Sequence, residues 1–322
     1  MKLAWSLGLL AASLLSVRAG GAEPTLWQRA RDPGATVRER ARLRAEQLFE
    51  QASEARGDPE LFHNLLLGSA SLLELGGDTA RDPWRAVLLG RLLLEGESPH
   101  QQRAMQLIDA GLPSLPASEF KRQAWFDLGV AALRGRQYTR SERAFSAALA
   151  LAWDVDDRSI THRNRGRSRM LSGQLTAALN DYRAAVALAR ASDTLALARF
   201  GLGVALERSG DFPQGLQEVA RAASIHLPVP PYPAESVLDW SELIWTPDYE
   251  VFYVKALAAM AEAAAAAPRE AALAAYDEAL RSWELYLGPA TQDRAPFVPN
   301  AERHRQRCRD GVERLRASGR VR

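Results

Sequence analysis

Small and bulky residues recur in the middle of the chain at a fixed spacing of 37 positions. Four columns share this spacing: Gly129, Gly166 and Gly203; Tyr138, Leu175 and Phe212; Phe145, Tyr182 and Val219; and Ala148, Ala185 and Ala222. Gly173 and Gly210 keep the same spacing and mark a turn inside the second and third units. Where two helices cross closely, one supplies a small residue and the other fills the gap beside it with a large one. The pattern therefore predicts three packed helix pairs over residues 119–226.

Helices are also predicted on both sides of these repeats, although the fixed spacing is lost there. Toward the amino terminus, helical segments at 36–55, 60–75, 83–95 and 99–110 are separated by Gly- and Pro-containing breaks, which predicts two divergent helix pairs within residues 23–118. Toward the carboxyl terminus, an Ala, aromatic, Ala, apolar order predicts a degenerate fourth repeat at 249–288, carried by Ala272, Tyr276, Ala279 and Leu280. The remaining region, 289–322, is predicted to form a capping helix at 300–317 and a basic tail. The fold class is therefore all-α.

The first repeat carries the residue pattern of a known family. It resembles the tetratricopeptide repeat through Trp125, Leu128-Gly129, Tyr138, Phe145 and Ala148. The resemblance implies a right-handed α-α superhelix of antiparallel helix pairs, a solenoid whose concave face binds a peptide or protein without a cofactor. Two features depart from the family. The period is 37 residues instead of about 34, and Ser141 and Gly215 replace the usual alanine of the second helix.

The resemblance also implies which residues contact a partner. In such repeats the first helix of each pair lines the concave groove. The candidates here are Phe126, Val130, Arg163, Arg167, Phe200, Val204 and Glu207. Apolar side chains among them would be buried against the partner, and the arginines would bind its acidic groups.

The arginine-rich start of the second repeat divides onto two faces of one predicted helix. Arg163 and Arg167 are four residues apart at groove positions, where they could hold a carboxylate. A solvated face, balanced by the acids at 154–157, is an open alternative for this pair. Arg165 lies on the other face, and in similar repeats an arginine there meets an acid of the second helix. We therefore expect Arg165 to form a structural ion pair with Asp181.

The segment 227–248 interrupts the repeats. The four prolines at 228, 230, 231 and 233 prevent a continuous helix, and the segment also holds the aromatic residues Tyr232, Trp240 and Trp245. These three are candidate partner-binding residues. The alternative, which we favour, is that Trp240 and Leu243 pin a long loop to neighbouring helices. A short helix at 235–244 is compatible with both interpretations.

The first residues predict a cleavable signal peptide at 1–22. Lys2 precedes an apolar stretch that ends at Val17, and small residues offer cleavage after Ala19 or Ala22. The apolar stretch is shorter than the roughly 20 residues that span a membrane. No cysteine lies near either cleavage site, so a lipid-modified amino terminus is not expected. We expect a periplasmic or secreted protein without stable membrane insertion.

Composition and charge narrow the class of protein. Hydrophobic residues make up 47% of the chain and charged residues 25%, which is typical of a globular fold. Removing residues 1–22 takes away two basic residues and no acid, and the formal net charge falls from +2 to zero. This charge gives no reason to expect a nucleic-acid or membrane partner. The one cysteine, Cys308, excludes an internal disulfide.

Motifs for metal binding or catalysis are missing from the sequence. The five histidines show no paired metal spacing and are interpreted as scattered surface residues: His63, His100, His162, His226 and His304. Asp154-Val155-Asp156-Asp157 lacks the glycine and the distal glutamate of a calcium loop, so a helix cap is favoured. Cys308 has no evident histidine partner, although a reactive thiol is an open alternative. There is no nucleophile elbow or phosphate loop, so we expect no cofactor, no metal and no enzymatic activity.

The predicted function is a non-enzymatic scaffold of the bacterial cell envelope that binds a peptide or protein in its concave groove. The alternative is a structural subunit of an envelope machine for secretion, polymer export or motility. That subunit would use its outer surface and the 227–248 insertion. An enzyme with an unrecognised site would require carboxylates or a histidine to converge in a pocket. The identity of the partner and the oligomeric state stay open.

Overall fold

The computed structural model describes residues 33–55, 58–75, 82–95, 100–152, 154–227, 234–239 and 245–318. Within these ranges the chain forms α-helices and short 3-10 helices, and no strand. The predicted signal peptide at 1–22 lies outside the described residues, as do Tyr232 and Trp240 of the insertion and the tail at 319–322.

The chain divides into two compact units, Met1–Ala131 and Ala132–Arg322. The first unit contains helices α1 to α4 and most of α5, with bounds Pro33–Glu54, Pro59–Leu75, Pro83–Glu95, Gln101–Gly111 and Glu119–Arg134. From α1 to α4, each helix packs on the next along the chain. The structure confirms the helical segments predicted for this region, with small differences at their ends.

The core of the first unit is built around α3. This helix buries Val87, Leu88, Leu89 and Leu92. Trp84 at its start stacks on Phe120 of α5, with the ring centroids 4.4 Å apart. Arg91 Nε donates to Asp127 Oδ2 at 2.6 Å, and its guanidinium lies 5.3 Å from the ring centroid of Phe120. Aromatic stacking and a partly buried ion pair therefore hold α5 against α3.

The second unit contains helices α6 to α13, with bounds Tyr138–Leu151, Val155–Leu171, Leu175–Leu188, Ser192–Arg208, Phe212–Ala223, Glu250–Ala265, Arg269–Gln292 and Val298–Ser318. Each helix packs on the next, and α9 also contacts α7 and α11. Contacts between successive and alternate helices are typical of stacked helix pairs. The predicted fold class, all-α with packed helix pairs, is confirmed. One boundary differs, because α12 continues through Pro289 to Gln292 and keeps Ala290 buried on its inner face.

Two glycines of the 37-residue columns lie at close helix crossings, as the spacing predicts. A Cβ atom added at Gly203 would lie 2.6 Å from Val219 Cγ2 and 2.8 Å from the carbonyl oxygen of Gly215. A Cβ atom added at Gly166 would lie 3.3 Å from two ring carbons of Tyr182. Both glycines therefore face the bulky residue of their own repeat, and the crossing at Gly203 is the tighter.

The turns inside the three repeats share one backbone conformation. Gly173 and Gly210 have φ angles of +81° and +100°, and Arg136, 37 positions before Gly173, has a φ of 55°. In each turn, the residue that follows this position donates its backbone N–H to the carbonyl oxygen five positions earlier. The three bonds are Gln137 to Ala132, Gln174 to Arg169 and Asp211 to Leu206, at 2.8, 2.8 and 2.9 Å. This bond satisfies a carbonyl at the helix end. The repeat therefore includes a left-handed turn position that carries arginine in its first copy.

Helix α13 covers α12 through one face. The buried residues of this face are Ala301, His304, Cys308, Gly311 and Val312. Gly311 allows close approach, since a Cβ atom there would lie 2.7 Å from Tyr276 Cζ. The predicted carboxy-terminal helix is therefore confirmed, with bounds slightly wider than predicted.

Candidate functional site

Asp181 is the centre of an ion-pair network between α7 and α8. Arg165 Nη2 donates to Asp181 Oδ1 at 2.7 Å, and Arg165 Nε donates to Oδ2 at 3.0 Å. Arg169 Nη1 donates to Oδ2 at 2.8 Å, and His162 Nδ1 lies 2.9 Å from Oδ1. Burial alone would raise the pKa of Asp181, but hydrogen bonds from His162 and Arg165 hold the pKa below its ordinary value. The predicted pair of Arg165 and Asp181 is confirmed as part of the helix packing.

Arg163 and Arg167 take no part in that network. Both side chains are half-buried. Among the described residues, no carboxylate lies within ion-pair distance of Arg163. Burial lowers the pKa of Arg163 to about 10, and the nearby charge of Arg167 adds to this effect, whereas Tyr182 and Asp193 oppose it. The pKa of Arg167 is also lowered, chiefly by burial. These two guanidinium groups form a recessed positive region that we call the arginine pair.

The acids at 154–157, the alternative counter-charges for the arginine pair, bind backbone amides. Asp154 Oδ1 accepts from the N–H groups of Asp156 and Asp157 at 2.8 and 3.1 Å, which confirms the predicted helix cap. Asp156 Oδ1 accepts from the N–H of Arg190 at 2.9 Å. Two of the three acids are therefore engaged away from the arginine pair.

Trp245 connects the insertion to the arginine pair. The guanidinium of Arg167 lies 4.8 Å from its ring centroid, in a cation–π contact. Its indole N–H donates to the carbonyl oxygen of Leu238 at 3.1 Å. Val237 and Leu238 are 0% and 1% exposed. The described part of the insertion thus packs on the protein, and Trp245 holds the guanidinium of Arg167 against a flat ring.

Phe200, Val204 and Glu207 do not line an open groove, contrary to their predicted role in partner binding. Their exposed fractions are 2, 2 and 3%. Helix α11 and the 3-10 helix Ala234–Asp239 both pack on α9 and cover it. A partner cannot reach these side chains without displacing other parts of the chain. Phe126 and Val130, on α5, are half-buried, so they keep some accessible surface.

Glu207 instead links α9 to α11 and α13 through a buried hydrogen-bond network. Its Oε1 lies 2.6 Å from His304 Nε2 and accepts from Asn300 Nδ2 at 2.9 Å, while Tyr253 donates to Oε2. Arg307 Nη1 lies 3.2 Å from His304 Nδ1 and can only donate. This geometry suits a hydrogen bond from His304 Nε2 to Glu207 and one from Arg307 to His304 Nδ1. Burial opposes ionisation of Glu207, but the hydrogen bonds from His304 and Tyr253 keep its pKa below the ordinary value.

This convergence of a carboxylate and a histidine is the arrangement that would favour an enzyme. The side chains of Glu207 and His304 are only 2% and 3% exposed. The His304 ring stacks between Phe212 and Trp283, with centroid distances of 4.5 and 5.6 Å. Substrate has no access to the pair, so we interpret it as structural. The prediction of surface histidines is wrong for His304 and right for His63, His100 and His226.

A third guanidinium, that of Arg208, lies at the carboxyl end of α9. Its Nη2 donates to Glu250 Oε2 at 2.8 Å, and both side chains are buried. The guanidinium lies 4.0 Å from the ring centroid of Phe297 and 4.4 Å from that of Tyr253. Arg208 and Glu250 therefore form a buried ion pair beside the arginine pair.

Tyr182, on α8, fills the gap between α7 and α9. Its ring lies between two glycines, because one edge faces Gly166 and a Cβ atom added at Gly201 would lie 2.2 Å from Cε1 and 3.0 Å from Cζ on the other edge. The charges of Arg167, Arg208 and Arg163 all act on its hydroxyl. Sequence reasoning treated Tyr182 as a packing residue only. The sequence does show that Tyr182 carries a hydroxyl, whereas the other members of its column, Phe145 and Val219, have none.

Cys308 is not a reactive site. Its side chain is fully buried, and burial raises the pKa of the thiol to about 12. In the part of the chain that the structure describes, His, Cys, Asp and Glu side chains form no group suited to a metal ion. None of the described helices combines the length and apolar character needed to cross a membrane.

Comparison with known proteins finds similarity at the level of structure. No protein-family model matches the chain, and no curated protein sequence matches it. The MamA protein is 15% identical over 62% of this chain and 97% of its own, with a TM-score of 0.44. The APC/C hetero-tetramer Cut9–Hcn1 is 13% identical over 95% and 59%, with a TM-score of 0.43. The TPR domain of P58(IPK) is 16% identical over 92% of each chain, with a TM-score of 0.26.

Proposed function

We propose that the protein is a non-enzymatic scaffold of the cell envelope that binds an acidic segment of another protein at the arginine pair, Arg163 and Arg167. The observation that carries this proposal is the recessed, half-buried position of the two guanidinium groups, with no carboxylate of the described chain paired to Arg163. A partner carboxylate supplies the missing negative charge.

The geometry of arginine favours a carboxylate as the bound group. A guanidinium presents a planar fork of N–H donors that matches two carboxylate oxygens. Contact with the Trp245 ring, 4.8 Å away, restricts the orientation of Arg167 before a partner arrives. Because Arg167 then loses less side-chain entropy on binding, this contact increases the affinity for a partner and also orients the guanidinium.

A second candidate is a structural subunit of an envelope machine that binds through its outer surface. Burial of Phe200, Val204 and Glu207 favours this candidate, since it shortens the part of the groove that a long peptide could use. The two candidates differ in which substitutions disrupt assembly.

The test compares two double variants with the same change in charge. Arg163→Glu with Arg167→Glu reverses the arginine pair. Arg143→Glu with Arg183→Glu reverses exposed residues of α6 and α8. We expect the first variant to lose at least tenfold of the cross-linked partner recovered from cells, at unchanged helicity by circular dichroism, and the second to keep it. Equal recovery by both variants would exclude the arginine pair, and selective loss with the second would favour the outer-surface subunit.

Envelope location is a separate part of the proposal and needs its own test. Residues 1–22 are fused to a reporter enzyme that is active only after export. The matched control carries Leu9→Arg and Leu10→Arg, which interrupt the apolar stretch. We expect reporter activity from the first fusion only. Equal activity from the two fusions would contradict export by this segment.

A further inference from the structure

The 3-10 helix Ala234–Asp239, which we call the strap, covers positions that line the concave groove in similar repeats. Phe200 and Val204 of α9 follow Arg163 and Arg167 by 37 residues, so the two pairs hold equivalent positions in successive repeats. Arg163 and Arg167 are half-buried, whereas Phe200 and Val204 are each 2% exposed. The strap packs on α9, α10 and α11. Together with α11, it therefore closes the groove face of the third repeat.

Two adjacent apolar side chains anchor the strap. Val237 and Leu238 are 0% and 1% exposed, and they belong to the same buried apolar cluster as Phe200. The next residue, Asp239, is exposed, and its carboxylate pairs with the ammonium group of Lys255 on α11. An apolar pair followed by one acid thus holds the strap against the repeats.

These contacts resemble those of a short bound peptide. The strap is six residues long, and the side chains of its ion pair are 31% exposed at Lys255 and 66% exposed at Asp239. Buried apolar anchors at the centre and charged pairs at the rim are typical of peptide and protein interfaces. A segment of another protein with the same chemistry could make every one of these contacts in place of the strap.

The composition around the strap agrees with this comparison. Residues 234–248 contain four acids and no basic residue. The segment therefore has the acidic character that the proposed function assigns to the partner.

We propose that the strap is an autoinhibitory segment, an internal occupant of the groove that a partner segment displaces. The partner segment carries two adjacent apolar residues followed by an acid. Its apolar residues take the places of Val237 and Leu238, and its acid pairs with Lys255. This inference goes beyond the proposed function, because it concerns the surface of α9 to α11 and does not depend on the arginine pair.

Competition within one chain has a measurable consequence. A tethered segment competes at a high effective concentration, so the apparent affinity for a partner falls with the fraction of molecules whose strap is displaced. Weakening the strap should therefore strengthen partner binding, although the changed residues do not touch the partner. A strap that served only to stabilise the fold would give no such gain.

The experiment measures the fluorescence anisotropy of a labelled synthetic peptide of residues 234–245, titrated with the full chain. Val237→Ser with Leu238→Ser in the chain removes the apolar anchors. The matched control is Leu285→Ser, which changes a leucine of α12 that is 53% exposed. Asp239→Lys is a milder variant that leaves the anchors in place. Circular dichroism and the urea midpoint check that each variant is folded.

We expect the chain with Val237→Ser and Leu238→Ser to bind the peptide about tenfold more tightly than the wild type, or more. Asp239→Lys should tighten binding about threefold, because a solvent-exposed ion pair contributes modestly. Leu285→Ser should leave the affinity unchanged. A peptide that carries the same two serines should not bind.

A charge exchange locates the bound peptide. In the chain with both serine substitutions, Lys255→Asp should weaken peptide binding, and a peptide carrying Asp239→Lys should restore it. Binding should also survive Arg163→Glu with Arg167→Glu in the same chain.

Several results would overturn the proposal. They are equal peptide affinity of the doubly substituted chain and the wild type, absence of binding by both, and failure of the charge exchange to restore binding. Loss of binding in Arg163→Glu with Arg167→Glu would assign the peptide to the arginine pair and also exclude the strap as its competitor. If the loss of both anchors unfolds the chain, Asp239→Lys decides, and an unchanged affinity would count against the strap.

Discussion

At the scale of single residues, the turns between paired helices show how backbone conformation limits side-chain choice. Gly173 and Gly210 adopt left-handed φ angles, and open space surrounds the position where a Cβ atom would be. Arg136 adopts the same region with a side chain present. An L residue with a side chain is strained there, so the cost of a substitution at these turns comes from the backbone alone.

The first prediction follows from these turns. Gly173→Ala and Gly210→Ala should each lower the free energy of unfolding by about 1 kcal/mol. Gly210→Asn should cost less than Gly210→Ala, because asparagine tolerates the left-handed region better although it is larger. Urea denaturation measures all three values. A larger cost for asparagine would indicate that side-chain contact, not φ, limits this position.

At the scale of helices, the distance between crossing helices decides which glycines can be replaced. An added Cβ atom at Gly203 meets Val219 Cγ2 at 2.6 Å and the backbone oxygen of Gly215 at 2.8 Å. At Gly166 the nearest atom is Asp181 Cβ, at 3.2 Å. The first crossing must open to admit a methyl group, whereas the second needs only a small adjustment.

The second prediction ranks these two crossings. Gly203→Ala should cost about 1–3 kcal/mol through overpacking. Gly166→Ala should be close to neutral, because alanine gains about 1 kcal/mol of helix propensity over glycine. Adding Val219→Ala to Gly203→Ala should restore little stability, since the backbone oxygen of Gly215 stays in place. Equal costs at Gly166 and Gly203 in urea denaturation would contradict the ranking.

The third prediction concerns the Asp181 network between α7 and α8. The pKa of Asp181 is lower in the folded protein than its ordinary value, so its contribution to stability is complete above an unfolded pKa of about 3.9 and is lost as pH falls through the folded pKa. Asp181→Asn should cost about 3 kcal/mol at neutral pH, because two arginines lose their buried partner. The deficit should shrink at acidic pH, below about pH 4.

The control for this prediction is Asp293→Asn. Asp293 accepts from Arg136 and Tyr249 at 2.9 and 3.0 Å, but the Arg136 pair is exposed to solvent. Its loss should change stability much less than the loss of Asp181. A deficit of Asp181→Asn that stays constant between pH 7 and pH 3 in urea titrations would argue against the network.

At the scale of the whole molecule, α13 is held by contacts between residues that are far apart in sequence. His304 and Glu207 are 97 positions apart, yet they bond inside the core. Cys308 lies one turn further along α13, with a side chain that is fully buried. The thiol can react only when α13 separates from α12, so its modification measures local opening.

The fourth prediction uses this thiol as a probe of α13 docking. His304→Leu removes a hydrogen-bond donor of buried Glu207, which should cost roughly 1–3 kcal/mol and raise the labelling rate of Cys308 about tenfold or more. Gln306→Ala changes an exposed residue of the same helix and should leave the rate unchanged. Equal labelling rates in His304→Leu and the wild type would show that the Glu207 network does not hold α13.

The sequence by itself determined the helix pairs and the turn positions at Gly173 and Gly210, because both depend on spacing within one repeat, which the 37-residue period reports directly. The pair of Arg165 with Asp181 was implied by the resemblance to tetratricopeptide repeats. Burial of Phe200, Val204 and Glu207 was decided only by the tertiary structure. Segments without the period, α13 and the described part of the insertion, pack back on the repeats, and no local pattern predicts where they dock.

Tyr182 has one contact that the sequence predicted and one that only the tertiary structure shows. Its column predicted a bulky residue beside Gly166, and this contact is present. The same ring also packs against Gly201, which belongs to the next repeat and to none of the four columns. A periodic sequence therefore specifies which residues pack within a helix pair, whereas the residues that face a ligand depend on how successive pairs and irregular segments come together in space.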